Sequence, residues 1–247
     1  MRTLVSIPTY NEEKYVERVL ARVLGVHPHV LVIDDGSKDA TPTLLAKFPV
    51  EVIRHSHNRG YGRSLMDAFR WASVDNYDWL ITMDCDEQHE PAQIPDFLAA
   101  ADANDADVIS GSRYLTNTPA DDAPPPDRRA INSEMTGEIN RRLGLKLTDT
   151  FCGFKAYRVA ALPRLTLSEP GYAFPMQFWV QAVAKGLRIR EVPVKLIYND
   201  LNRTFGGPLN DPDIRRAHYR RVLHCELRRC RDLLPSVASA DAACPKA

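Results

Sequence analysis

The 247-residue chain is predicted to be an α/β protein with a mostly parallel central sheet and helices on both faces. Three observations lead there. Short β-rich runs alternate with helical patterns, as in successive βαβ units. The strand runs are continuously apolar instead of alternating, which suits strands covered on both faces. Polar clusters follow the strands at residues 8–12, 34–39, 57–63 and 84–89, at the carboxyl edge where such sheets bind ligands.

Leu4-Val5-Ser6-Ile7 makes the first strand. Val16, Val19, Leu20, Val23 and Leu24 recur at helical spacing, with Asn11 as the expected N-cap before Glu12 and Glu13. Val30-Leu31-Val32-Ile33 is a second buried strand, followed by a short helix at 43–47 and a third strand at 50–54. A helix at 64–72, a strand at 79–83, a helix at 92–101 and a strand at 107–110 continue the alternation. Residues 116–126 hold four prolines and are expected to form a mobile loop, either a lid or a linker. Beyond it, 131–143 reads as helix, and 154–158 and 189–196 as strands around a helix at 175–185. The expected organisation is one α/β domain over 1–210, a basic amphipathic helix over 211–234 and a disordered tail over 235–247.

Composition narrows the function classes. Lys+Arg and Asp+Glu balance at 32 each, so no overall field draws in nucleic acid. Five cysteines with no CxxC argue against a disulfide framework or a zinc site and suit a reducing compartment. No signal-peptide pattern and no run of about 18 apolar residues is present, so the expected location is cytoplasmic.

Three motifs carry chemistry. Asp84-Cys85-Asp86-Glu87-Gln88 follows a buried strand, and residues two apart on an extended chain face the same way. Asp84 and Asp86 can point out together while Cys85 turns inward. Two hard carboxylates suit Mg²⁺ or Mn²⁺ with positions left for phosphate oxygens, and Gln88 can add a neutral oxygen. Asp34-Asp35-Gly36-Ser37 also ends a strand. Its carboxylates can accept from a ribose hydroxyl or base N–H, while Ser37 or Asp39 can cap a helix. Asn58-Arg59-Gly60-Tyr61-Gly62-Arg63 opens a helix, where Gly60 and Gly62 allow close backbone approach and the helix N-terminus attracts an anion. A nicotinamide-binding Rossmann domain would need GxGxxG after the first strand, where this chain has Pro8-Thr9-Tyr10-Asn11-Glu12.

In this order and spacing, with Ser112-Arg113-Tyr114 and Asp149-Thr150-Phe151-Cys152-Gly153-Phe154-Lys155 further on, the motifs resemble glycosyltransferase family 2. The closer resemblance is to its polyprenyl-phosphate (dolichol-phosphate) mannosyl- and glucosyltransferases, and it spans roughly residues 3–207. It implies a GT-A fold, the Rossmann-like three-layer αβα sandwich, and inverting transfer of a hexose from a nucleotide-diphosphate sugar such as GDP-mannose or UDP-glucose. Carried over by position, Pro8, Tyr10, Glu12, Asp35 and Gly60 hold the donor with Asp84, and Asp84, Asp86 and Gln88 meet a Mg²⁺ or Mn²⁺ ion and the diphosphate. Arg113 and Arg203 face the acceptor, and Asp149 sits where an acceptor-side carboxylate belongs. Asp149 would act as base toward a saccharide or other hydroxyl acceptor, whereas an ionised lipid phosphate needs no base and calls on Arg113 and Arg203. A non-catalytic nucleotide-sugar sensor is the rival reading, and such a protein is expected to lose its DxD.

Two positions depart from the family pattern. Arg63 stands where a small residue is usual. The phosphate-side ending R-x-x-G-x-S-K reads Arg203-Thr204-Phe205-Gly206-Gly207-Pro208, which bears on the acceptor and not on transfer itself. The last helix carries seven arginines against three acids between residues 213 and 232, a net of +4. It can lie on an anionic membrane at the inner face, or pack on the sheet or on a second subunit with its Tyr219, Leu223, Leu227, Cys230 and Leu234 stripe.

Overall fold

A computed structural model describes residues 1–116, 122–199 and 204–242. The strands are β1 (Thr3–Thr9), β2 (Val30–Asp34), β3 (Glu51–Arg54), β4 (Trp79–Thr82), β5 (Val108–Ser112), β6 (Lys155–Arg158) and β7 (Ile189–Pro193). The helices are α1 (Val16–Leu24), α2 (Thr41–Leu45), α3 (Tyr61–Val74), α4 (Ile94–Asp102), α5 (Pro126–Leu143), α6 (Phe174–Ala184) and α7 (Pro212–Arg229). The strands form one seven-stranded sheet in the order β3-β2-β1-β4-β6-β5-β7. All pairings are parallel except those of β6, which runs antiparallel to β4 and β5.

Two cores explain the continuous apolar runs. In β1, Leu4 faces one side while Val5 and Ile7 face the other, and both faces are buried. One core joins the sheet to α1 and α4 through Val16, Val19, Leu20, Ile94 and Phe97. The other joins it to α3, α5, α6 and α7 through Leu65, Phe69, Met135, Trp179 and Leu223. This is the expected three-layer sandwich. The chain leaves β1 for β2 and β3 on one side, then returns to place β4 on the other side of β1. That reversal opens a crevice at the carboxyl ends of β1 and β4, the usual ligand position in such sheets.

Several local expectations change. Asn11 does not cap α1, whose cap position is Tyr15 with no side-chain bond. Asn11 instead adopts φ 55° and accepts from the Lys38 amide at 2.8 Å, which ties the loop after β1 to the loop after β2. The last helix ends at Arg229, followed by a 3-10 turn at Arg231–Leu233. Its apolar stripe enters the main core, and its arginines face acids of α5: Arg216 Nε lies 3.0 Å from Glu134 and Arg220 Nε 3.5 Å from Glu138. His224 Nε2 adds a contact to Glu138 at 2.7 Å. The tail, expected to be disordered, carries a 3-10 turn at Ser236–Ser239 with Ala238 fully buried, and residues 243–247 lie outside the described residues. Cys85, Cys152 and Cys230 are buried free thiols, whereas Cys225 is disulfide-bonded, which amends the expectation of thiols throughout. Among the described residues no helix is long and apolar enough to cross a membrane.

Candidate active site

A cavity of about 810 Å³ opens at that crevice. Its acidic side is built from strand ends. Pro8 lies near the end of β1 and Tyr10 and Glu12 follow it, Asp35 follows β2, and Asp84, Asp86 and Gln88 follow β4. Cys85 turns into the core, as the two-residue spacing predicts. The chain does not stay extended: Glu87 takes φ 60° and is gripped by Arg18 at 2.9 and 2.8 Å. The turn is closed by the Gln88 amide donating to Asp86 Oδ1 at 3.1 Å.

His89 fixes the start of this turn. Its Nδ1 accepts from the Asp84 amide at 2.9 Å, so the ring proton resides on Nε2. Burial lowers the His89 pKa to about 4, which leaves the imidazole neutral. Gly153 leaves room here, because a Cβ would stand 2.8 Å from both Asp84 Oδ2 and Tyr61 Oη.

The adjacent acids Asp34 and Asp35 each have a different basic partner. Asp34 Oδ1 accepts from the Ser37 amide at 2.9 Å, and Arg54 Nε lies 3.1 Å from Oδ2 without hydrogen-bond alignment. Asp35 Oδ1 accepts from the Arg59 amide at 2.8 Å and meets His55 Nδ1 at 2.6 Å, while Oδ2 accepts from the Gly60 amide at 2.8 Å. Asp35 is therefore occupied in holding the loop before α3. His55 continues to Asp67 at 3.0 Å, and Arg63 clamps Asp67 at 2.8 Å through two bonds. Arg63, unusual for the family pattern, is explained by this chain of contacts.

Gly60 and Gly62 do allow close approach, but what approaches is protein. A Cβ on Gly60 would stand 2.3 Å from the Pro170 carbonyl oxygen, and one on Gly62 would stand 2.3 Å from that of Glu169. The Arg63 amide donates to Pro170 O at 3.0 Å. Gly60 still lines the cavity beside Asn58 and Tyr61.

The opposite wall is cationic and aromatic. Arg113 follows β5, Arg128 and Asn132 lie on α5, and Arg215 and Tyr219 lie on α7, with Phe151 and Phe205 between. Arg128 and Arg215 sit over the Phe205 ring at 5.1 and 4.4 Å. Arg215 is buried and paired to Asp127 at 2.6 Å. Arg203 lies outside the described residues, as do residues 117–121 of the proline-rich loop. The end of that loop is anchored: Asp122 accepts from the Tyr198 amide at 2.8 Å and donates through its own amide to Leu196 O at 3.1 Å.

Asp149 is fully buried and is not among the residues lining the cavity. Oδ2 accepts from Arg113 Nε at 2.7 Å, and Oδ1 accepts from Arg113 Nη2 at 3.1 Å and Asn132 Nδ2 at 2.8 Å. The Phe151 and Cys152 amides add bonds to Oδ1 at 3.1 and 3.2 Å. Burial by itself would raise this carboxyl, but Arg113 and Asn132 outweigh it and hold the pKa at about 2. In this arrangement the carboxylate is engaged by Arg113 and Asn132, whereas a base must come within hydrogen-bond reach of the proton it takes. The rest of the 149–155 motif is scaffold: Trp179 Nε1 donates to Thr150 O at 2.9 Å, and buried Lys155 donates to Cys152 O.

Sequence reading missed Arg128, Asn132, Arg215, Tyr172 and Phe205. The spacing of Arg128 and Asn132, one helical turn apart, is the local signal that could have found the first two. Arg215 sat within an arginine-rich helix where seven looked alike.

The fold and site define a three-layer α/β protein with an acidic cavity edge facing an arginine wall. Residues 4–166 match the model of glycosyl transferase family 2. The chain belongs to that family, and it is a glycosyltransferase with a GT-A fold. It is 33% identical to the polyprenol monophosphomannose synthase of Mycolicibacterium smegmatis over 81% of this chain and 79% of that one. It is 34% identical to the undecaprenyl-phosphate mannosyltransferase of Micrococcus luteus, over 83% and 87%. Among solved structures, glucosyl-3-phosphoglycerate synthase from Mycobacterium tuberculosis, in complex with Mn²⁺, UDP and glucosyl-3-phosphoglycerate, is similar with a TM-score of 0.70. That match covers 95% of this chain and 81% of the other at 18% identity, and it speaks for the fold alone.

Proposed function

We propose that the protein transfers a hexose, with inversion, from a nucleotide-diphosphate sugar to the phosphate of a polyprenyl phosphate. The observation that carries this reading is the polarity of the cavity. Its lining carboxylates, Glu12, Asp35, Asp84 and Asp86, come from the ends of β1, β2 and β4, and its lining arginines come from beyond β5 and from α5 and α7. An acceptor phosphate is already an anion. It needs cations to orient it and no base, which matches a wall of Arg113, Arg128 and Arg215 behind which Asp149 is sealed. The two lipid-phosphate mannosyltransferases above support the same acceptor class.

On the donor side, Pro8, Tyr10 and Glu12 bind the nucleoside, and Asp35 shapes the loop that carries Gly60. Among the described residues no group of three or more His, Cys, Asp or Glu is arranged as a metal cluster. A pair of carboxylates on one cavity wall nevertheless fits Mg²⁺ or Mn²⁺, which bind through one or two carboxylates plus substrate phosphates. Asp84 and Asp86, with Gln88, would hold the ion, and when bound it would offset charge on the departing diphosphate. The synthase structure, of the same fold, holds Mn²⁺ together with UDP. Asp149 acts as a positioning residue: it aligns the Arg113 guanidinium toward the acceptor. The protein meets its lipid at the membrane surface, at the inner face of the membrane.

Purified protein with Mn²⁺, a polyprenyl phosphate and either GDP-mannose or UDP-glucose should release nucleoside diphosphate and form a hexosyl lipid phosphate detectable by mass spectrometry. Release supported by a free saccharide and not by the lipid phosphate would overturn the acceptor assignment. No release from any common sugar nucleotide would favour a sensor.

A further inference from the structure

Three aromatic rings from three separate segments run between the donor carboxylates and the arginine wall. Tyr61 opens α3 and donates its hydroxyl to Asp84 Oδ1 at 3.2 Å. Tyr172 stacks on Tyr61, with ring centres 5.9 Å apart and planes 17° apart. Phe205 meets Tyr172 edge-on at 5.4 Å and 85°. On its other side Phe205 lies under the Arg128 and Arg215 guanidiniums. Its backbone amide donates to Asn210 Oδ1 at 3.0 Å, which ties the ring to the start of α7.

Glycines make this chain of contacts sterically feasible. Gly60 and Gly62 let the backbone of Glu169 and Pro170 close on α3, which brings Tyr172 onto Tyr61. Gly153 leaves the space that Tyr61 Oη and Asp84 share. A role in packing alone would need no hydroxyl aimed at a carboxylate.

We infer that Tyr61 is a positioning residue for Asp84, and that Tyr172 and Phe205 make that positioning depend on the acceptor-side segment around Phe205. When that segment is seated, Phe205 backs Tyr172, Tyr172 backs Tyr61, and Asp84 is held toward the diphosphate. Occupation of the acceptor wall then strengthens donor binding, and by linkage the donor strengthens acceptor binding equally. The inference rests on the reading of Asp84 as a donor-side, cation-holding residue.

Calorimetric binding of GDP and of UDP, each with Mn²⁺, tests it apart from turnover. Asp84→Ala should abolish binding. Tyr61→Phe should weaken it about tenfold, the effect of one hydrogen bond to a charged group, with an unchanged melting profile. Phe205→Leu, far from Asp84, should weaken it about threefold, within the range of coupling energies between sites. Phe205→Tyr, which keeps the ring, should restore it and guards against a folding defect. Wild-type binding by both Tyr61→Phe and Phe205→Leu, with Asp84→Ala inactive in binding, would overturn the inference and leave the donor assignment standing. Weakening by Tyr61→Phe alone would overturn the link through Phe205. Undiminished binding by Asp84→Ala would remove the donor assignment and the inference together.

Discussion

The two walls of the cavity are assembled in opposite ways. The donor wall is made of short loops that directly follow β1, β2 and β4, so each functional residue is near a buried strand that aims it. The acceptor wall gathers Arg113, Arg128, Phe151, Arg215 and Tyr219 from β5, α5, the loop before β6, and α7. Acids dominate the first and cations the second.

The sharpest break between the walls is expected at Asp86. Asp86→Ala should remove the several kcal/mol of charge stabilisation at the diphosphate, on the order of 10³-fold in kcat/KM, with the fold intact by circular dichroism. Activity within a few-fold of wild type would remove the metal assignment.

Asp149→Asn comes next and acts on the acceptor wall from behind. Breaking a buried pair costs about 3–5 kcal/mol, so both the melting temperature and kcat should fall. The pH response separates positioning from base catalysis. The Asp149 pKa is depressed from 3.8 to about 2, so its stabilisation is fully present above the unfolded value and is lost as pH falls through about 2. No limb of the rate profile between pH 5 and 8 should then belong to it, and a limb that vanishes in Asp149→Asn would restore the base. Asp107, held at about 2 by Arg188 and Arg158, titrates in the same acid window, so an acid melt of Asp149→Asn should keep part of the wild-type response.

Arg128→Ala should raise KM for the lipid phosphate about tenfold and leave donor binding nearly unchanged, the size of one charge-assisted contact. The smallest effect is expected on the donor side. His55→Gln keeps one bond of the Asp35–His55–Asp67 chain and loses the other, so KM for the donor should rise a few-fold, with acceptor KM unmoved. A shift in acceptor KM instead would mean that the two walls are coupled through the Asp35 loop as well as through Tyr61, Tyr172 and Phe205.

Legibility followed the same divide. The strands, the parallel sheet and the loops at 8–12 and 84–88 were readable because apolar runs and the residues that follow them are local features. The Gly60 turn was found, but its occupant was not: nothing near Gly60 in sequence announces the Pro170 carbonyl. The stripe of α7 was legible from its period, whereas Arg215 could be told from its six neighbouring arginines only by its burial against Asp127 and Phe205.

The sequence by itself determined the layered α/β architecture, the family, and the place of Asp84 and Asp86 at the carboxyl edge of the sheet. Each depends on periodicity or on residues adjacent in the chain. The tertiary structure alone decided that Asp149 is sealed behind Arg113, 36 residues away, and that Tyr61 holds Asp84 across 23 residues. The physical reason is that a carboxylate's role follows from what surrounds it. Burial and hydrogen-bond partners made one Asp a cavity-lining group and the other a clamp, and those partners come together only when the sheet and its helices close.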